Sequence, residues 1–298
     1  MKTKSLLLVL LKVILLSCTV EPLEERVEQA SEASVHTPAQ SSVLYLNKVG
    51  YFPETGEFYV SLHSIKPLTE EDYNFLSKKA DSVVFDDNEK GRFRLPKATA
   101  REYFNFSSLD TIKVYDSEHN FITKATLARA EHFLHINGYF IAVFKPADVV
   151  PDRQADFYCL GTASVELEDL TMQSVASEEL TERIIKELDL KPEYVWHSEH
   201  VLVEPYNATY SVYAFSEGSG KTISYITELK DNELRVLYKL QEEYTLNSIQ
   251  PVPVERNGKP VLLLHLTLPE SDAVDDYVVG VYDGKEYQLL PDNRIKLK

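Results

Sequence analysis

The strongest constraint on the fold is a succession of short strand-like segments that fills the chain after Pro192. The segments are joined by tight turns such as Glu217-Gly218-Ser219-Gly220 and Lys230-Asp231-Asn232-Glu233, and they recur at intervals of about 10–15 residues. Short apolar segments between such turns predict strands, and the short connections predict antiparallel neighbours. We therefore predict that residues 191–298 form a β-rich domain built as an antiparallel meander.

Helix signals precede that region. Thr69 and Asp72 have the spacing of a capping box, which predicts a helix that runs to Lys79. A short second helix is expected over residues 97–104. Apolar residues at intervals of three and four over residues 177–190 predict the clearest amphipathic helix of the chain.

A hairpin signal lies between these helices. Asn137-Gly138 separates two apolar runs, and this dipeptide favours a two-residue hairpin turn. It should pair residues 125–136 with residues 139–145. The fold class predicted is therefore α+β, with a mixed α+β domain over residues 43–190 ahead of the β-rich domain.

The first seventeen residues form a separate segment. Lys2 and Lys4 precede an apolar run over residues 6–16 that only Lys12 interrupts. Eleven residues span roughly 16 Å as a helix, which is shorter than the ~30 Å hydrocarbon core of a bilayer. The segment is therefore interpreted as a signal peptide, residues 1–17.

The segment ends in Leu15-Leu16-Ser17-Cys18. This ending resembles the lipobox of bacterial lipoproteins, and the resemblance implies that Cys18 is lipidated and becomes the N-terminus of a membrane-anchored chain. Thr19 occupies the position at which an aspartate tends to hold such proteins at the inner membrane. The resemblance therefore implies a lipid-anchored place in the cell envelope, with the outer membrane favoured over the inner. An ordinary secretory signal that contains a cysteine is the alternative.

The segment after Cys18 and the net charge limit the classes of molecule that the chain can bind. Residues 18–42 hold the lipidated cysteine and a stretch rich in Glu, Ser, Ala and Thr, which predicts a disordered acidic tether. Loss of residues 1–17 removes three of the 31 basic residues and no acidic ones, which leaves 28 against 47 acidic and a net charge of −19. Such a chain repels nucleic acid, so nucleic-acid binding is excluded.

Cysteine and histidine give no catalytic or metal motif. Cys159 lies in an apolar strand-like run and is expected to be a buried thiol, and no disulfide is predicted. The two His-x-x-His pairs are His132 with His135 and His197 with His200. Both lie in strand-like sequence, where residues three apart point to opposite faces. We expect no metal and no cofactor, with a zinc site that joins one histidine of each pair to Glu131 or Glu199 as the alternative.

One stretch resembles a known repeat family. Residues 255–264 resemble the core of a calcium-loop blade of FG-GAP propellers, and residues 281–287 resemble the hairpin that follows it. In that family alternating loop positions supply calcium ligands, and here those positions hold Pro253, Glu255, Asn257 and Val261. Two of the four lack a side-chain oxygen, so the resemblance implies a turn and a strand in a single copy.

Aromatic residues are concentrated in the β-rich region. Trp196, Tyr210 and Tyr213 are the candidate ligand-binding residues, because exposed aromatic side chains suit sugar rings and protein partners. Strands favour tyrosine for structural reasons as well, and that alternative stays open.

These patterns favour a membrane-anchored lipoprotein that is non-catalytic and binds an envelope protein or a glycan, or takes part in envelope assembly. The alternative is an envelope hydrolase whose carboxylate or histidine site is dispersed along the sequence, since the mature chain carries no Gly-x-Ser-x-Gly elbow.

Overall fold

The structure is a computed structural model that describes residues 43–79, 82–85, 91–133, 139–150, 156–161, 170–175, 178–191, 194–216, 222–241, 245–267 and 276–296. The predicted signal peptide, Cys18, the tether and the turn Asn137-Gly138 lie outside these ranges. Contacts group residues 41–298 into one compact unit, and the predicted division near residue 190 stays a prediction.

The elements are given in chain order. The strands are β1 (Val43–Phe52), β2 (Glu57–Ser61), β3 (Ser82–Phe85), β4 (Gly91–Leu95), β5 (Thr111–Asp116), β6 (Phe121–Phe133), β7 (Tyr139–Pro146), β8 (Phe157–Gly161), β9 (Met172–Ser174), β10 (Tyr194–Val203), β11 (Ala208–Ser216), β12 (Thr222–Lys230), β13 (Glu233–Gln241), β14 (Thr245–Arg256), β15 (Lys259–Thr267), β16 (Asp276–Tyr282), β17 (Tyr287–Leu290) and β18 (Arg294–Lys296). The α-helices are α1 (Glu70–Lys78), α2 (Lys97–Tyr103) and α3 (Glu178–Glu187), and a 3-10 turn covers Glu204–Tyr206.

Six strands close into an antiparallel barrel. Their order is β6-β5-β8-β1-β2-β7, and β7 pairs back onto β6. The hairpin β3–β4 extends from β6, and β18 pairs with the start of β1. The predicted pairing with residues 139–145 is confirmed for residues 125–133 in the β6–β7 register, while residues 134–136 lie outside the described ranges.

The predicted α+β class is wrong, because the protein is β-rich. The three predicted helices do form, but none of them in the described residues exceeds the ten residues of α3. They cover sheets and do not form a layer of their own. The class is decided by pairings between distant strands, which helix signals do not report.

The barrel interior is filled by alternate residues of its strands. Tyr45 and Val49 of β1 point inward, as do Phe58 of β2 and Phe157 of β8. The Phe58 and Phe157 rings meet edge to face, with centroids 5.4 Å apart. Cys159 lies in the same core, so the predicted burial of this thiol is confirmed, and burial raises its pKa.

The opposite face of β1 packs on a second layer. Leu44 and Leu46 contact Val261 and Val279 of the four-stranded sheet β14-β15-β16-β17. Because successive residues of a strand point to opposite faces, β1 belongs to two cores at once.

The third layer is the five-stranded sheet β13-β12-β11-β10-β9. One face packs against the four-stranded sheet, where Tyr210 and Val212 lie in one core with Leu264. The other face is covered by α3, whose Leu180 and Ile184 pack on it. Neighbouring strands from β10 to β13 and from β14 to β17 are antiparallel.

The antiparallel barrel has two distinct ends. Val43 begins β1 at the tether end, which we define by Val43, Ser61 and Gly161. The turn end is defined by Phe52 and Asp116, where β1 and β5 finish. The covering helices α1 and α2 fall between β2 and β5 in the chain, and therefore attach at the tether end.

The barrel core predicts a large difference between two matched substitutions. Phe58→Ala removes a fully buried ring and should lower the free energy of unfolding by about 3–5 kcal/mol. Phe121→Ala removes a ring that is 57% exposed at the turn end and should cost less than about 1 kcal/mol. Urea unfolding measures both, and equal losses would contradict the core assignment.

Candidate binding surface

The predicted ligand-binding residues do not share a surface in this structure. Tyr210 and Tyr213 lie three residues apart on β11, so their rings are on opposite faces of the sheet, and both are buried. Trp196 is on β10, and its side chain lies outside the described part of the chain. Ligand binding by these three residues stays a prediction.

Tyr210 belongs to a buried ionic clamp between two sheets. Its hydroxyl donates a hydrogen bond of 3.0 Å to Glu228 of β12. Lys259 of β15 pairs with the same carboxylate, and its ammonium lies 5.4 Å from the centroid of the Tyr282 ring. A carboxylate that is removed from water requires such a partner. The clamp therefore joins the five-stranded sheet to the four-stranded one.

The described histidines of the two His-x-x-His pairs are far apart in the fold. His132 lies on β6 of the barrel, 3.4 Å from Ser77 Oγ. His200 lies on β10 of the five-stranded sheet, with its Nδ1 2.8 Å from the buried Ser211 Oγ. Within the described ranges, no three His, Cys, Asp or Glu side chains are grouped in a way that could hold a metal ion.

The stretch that resembles an FG-GAP blade forms the β14–β15 hairpin. Asn257 and Gly258 form its turn with φ of 52° and 76°, a conformation that Asn and Gly adopt most readily. Asn257 Nδ2 donates to Tyr282 O at 3.1 Å, and Glu255 accepts a 3.4 Å hydrogen bond from the Tyr206 hydroxyl. These two side chains therefore brace the hairpin.

Helix α1 begins as its capping box predicted. The Asp72 amide donates to Thr69 Oγ1 at 3.2 Å, and the Thr69 amide donates to Asp72 Oδ2 at 2.9 Å. A helix of nine residues is marginal alone, so packing of its buried Leu76 on the barrel must stabilise it.

Beside this helix the surface is apolar and aromatic. We define the aromatic patch as Ile65, Lys66, Phe75, Lys79 and Tyr103. Ile65 is 62% exposed and Phe75 40% exposed. The Phe75 and Tyr103 ring centroids are 6.0 Å apart. The Lys79 ammonium lies 5.3 Å from the Phe75 ring, and the Lys66 ammonium lies 5.7 Å from the Tyr103 ring.

The sequence contains a signal for this patch that was missed. Tyr73, Phe75 and Leu76 fall within one turn of a predicted helix, at about 100° per residue. One narrow face cannot bury all three, so at least one ring must remain accessible. The candidates Tyr210 and Tyr213 lie in a strand, and both are buried.

Hydrogen bonds place the aromatic patch at the tether end. The Ile65 amide donates to Tyr103 O at 2.8 Å, which ties the two segments of the patch together. Ser108 Oγ donates to Val43 O at 2.8 Å. Ser108 is five positions after Tyr103, a span of at most roughly 18 Å. The patch therefore lies close to the point where the chain leaves for Cys18.

No family model, no curated protein sequence and no solved structure matches this chain. Among the described helices, none is long and apolar enough to cross a membrane.

A half-buried histidine next to the patch predicts that the protein loses stability in acid. Burial, followed by the nearby Arg294 charge, lowers the pKa of His63 from 6.5 to about 4, and Asp292 opposes this shift. The unfolded chain therefore binds the proton first as pH falls. His63 should cost about 3 kcal/mol of stability between pH 6.5 and 4. In His63→Gln the slope of unfolding free energy against pH should flatten in this window, and an unchanged slope would contradict the assignment.

The ionic clamp predicts that substitutions of two basic residues have unequal effects on the stability of the protein. Lys259→Met leaves Glu228 buried without its cation and should destabilise the protein by about 3–5 kcal/mol. Arg235→Met breaks only an exposed 3.9 Å pair with Glu233 and should change stability by less than about 1 kcal/mol. Equal denaturant midpoints for the two variants would show that the clamp does not stabilise the fold.

Proposed function

We propose that this protein is a lipid-anchored, non-catalytic binding protein of the bacterial envelope, with the outer membrane favoured over the inner. Its lipid would be carried by Cys18. The folded body would hold a partner protein near the membrane.

The observation that carries this proposal is the arrangement of the barrel. The chain reaches the barrel at Val43, and the turn end lies at the opposite ends of the same strands. Phe121 and Val149 are exposed at the turn end, by 57% and 96%. If the body is held at the tether end, these two side chains are available to a partner at the opposite end.

The hydrolase alternative receives less support from the contacts. Glu228 is neutralised by Lys259, and Glu57 by Arg129 through bonds of 2.6 and 2.7 Å. Ion pairs of this kind stabilise the fold, and no catalytic role is needed to explain them. Ser211, the hydroxyl next to His200, is only 1% exposed, so a substrate would not reach it in this conformation.

Lipidation and partner capture test the proposal together. Cells that express the chain should incorporate labelled palmitate into it, and Cys18→Ser should abolish the label. Crosslinking in the native envelope should then give one near-stoichiometric partner, which is lost in Cys18→Ser and weakened in Phe121→Ser. A labelled chain without any partner would redirect the search to glycans and substrates, while an unlabelled chain would overturn the anchor.

A further inference from the structure

We infer that the aromatic patch binds the lipid surface to which the chain is anchored, so that the barrel stands with its tether end against the membrane. The inference rests on the proposed function, because the anchor is what brings this surface to a bilayer. It adds the site of contact and the orientation of the folded body.

The side chains of the patch have the chemistry of a membrane interface. Ile65 and Phe75 offer apolar surface, while Tyr103 combines an apolar ring with a polar tip. The Lys66 and Lys79 ammonium groups lie near these rings. Lys79 can extend its ammonium to a headgroup phosphate, while the Lys66 ammonium also lies 3.6 Å from the Asp72 carboxylate. Aromatic and lysine side chains together are typical of the boundary between water and lipid.

The local charge permits this contact although the whole chain is acidic. The chain carries a net charge of −16. Residues 64–104, which include both covering helices, hold eight basic and eight acidic residues. At physiological ionic strength charges are screened beyond about 8 Å, so acids elsewhere on the protein have little effect at the patch. The tether end can therefore approach an anionic headgroup layer that the rest of the surface would avoid.

The position of the patch compensates for the weak lipid binding expected from its small area. An isolated patch of this size would bind lipid weakly. A tether of some 24 residues has a mean reach of about 25–30 Å, which keeps the patch at an effective concentration of about millimolar. The Tyr103 backbone lies within roughly 18 Å of Ser108, whose hydroxyl is hydrogen-bonded to Val43 O, so the tether can remain slack while the patch is in contact.

Two matched probes test the inference on the whole mature chain. The chain begins at residue 18 with Cys18→Ser and is held by an N-terminal polyhistidine extension on nickel-chelating vesicles of phosphatidylethanolamine and phosphatidylglycerol. An environment-sensitive fluorophore is attached to Ser64→Cys beside the patch or to Ser117→Cys at the turn end, both exposed positions. Cys159 is buried and stays unlabelled. Nitroxide-labelled lipids in the vesicles act as quenchers.

We expect several-fold stronger quenching at position 64 than at position 117. Ile65→Ser with Phe75→Ser should reduce quenching at position 64 to the level at 117, while far-ultraviolet circular dichroism remains unchanged. Equal quenching at the two positions in the unaltered patch would overturn the inference. Weak quenching at 64, combined with loss of a crosslinked protein partner in the double variant, would also overturn it and assign the patch to that protein.

This test is independent of natural lipidation, because the vesicle attachment is imposed. Quenching at position 64 without a palmitate label would support lipid binding by the patch and overturn the proposed anchor. A palmitate label without quenching would support the anchor and overturn lipid binding by the patch.

Discussion

Burial of β1 on both faces is the interaction on which the rest of the structure depends. Leu44 and Leu46 are fully buried against the four-stranded sheet, while Tyr45 is fully buried inside the barrel. Each such apolar side chain contributes about 1.5–3 kcal/mol on leaving water. Pairing of β18 with the start of β1 returns the last described strand to the first. The same strand therefore closes the barrel, attaches the second layer and fixes the place from which the preceding residues leave the folded body.

Local signals in the sequence predicted local structure well. The capping box of α1, the amphipathic spacing of α3 and the β6–β7 pairing all appear in the fold, because each depends on residues close together in the chain. Closure of the barrel depends on β1 meeting β8 across more than a hundred residues, and no short pattern encodes that meeting. The fold class was wrong for this reason.

For the candidate site, too, the sequence could predict local features but not those that depend on how distant segments pack. Alternation along β11 already requires Tyr210 and Tyr213 to lie on opposite faces, so the sequence could have separated them. Their burial could not be predicted, because it depends on which face meets the four-stranded sheet and which meets α3. Exposure of Phe75 depends in turn on how a short helix rotates over the barrel end.

The proposed orientation of the folded body connects these observations with the proposed function, because in it the aromatic patch would face lipid and the turn end would be left for a partner. Neutron reflectometry of the lipidated protein on a supported bilayer tests this orientation most directly. In the proposed orientation, protein density begins at the headgroups, with no intervening layer of solvent. A solvent layer about 25–30 Å thick, the mean reach expected of the predicted tether, would contradict this orientation and show that the body is held away from the membrane.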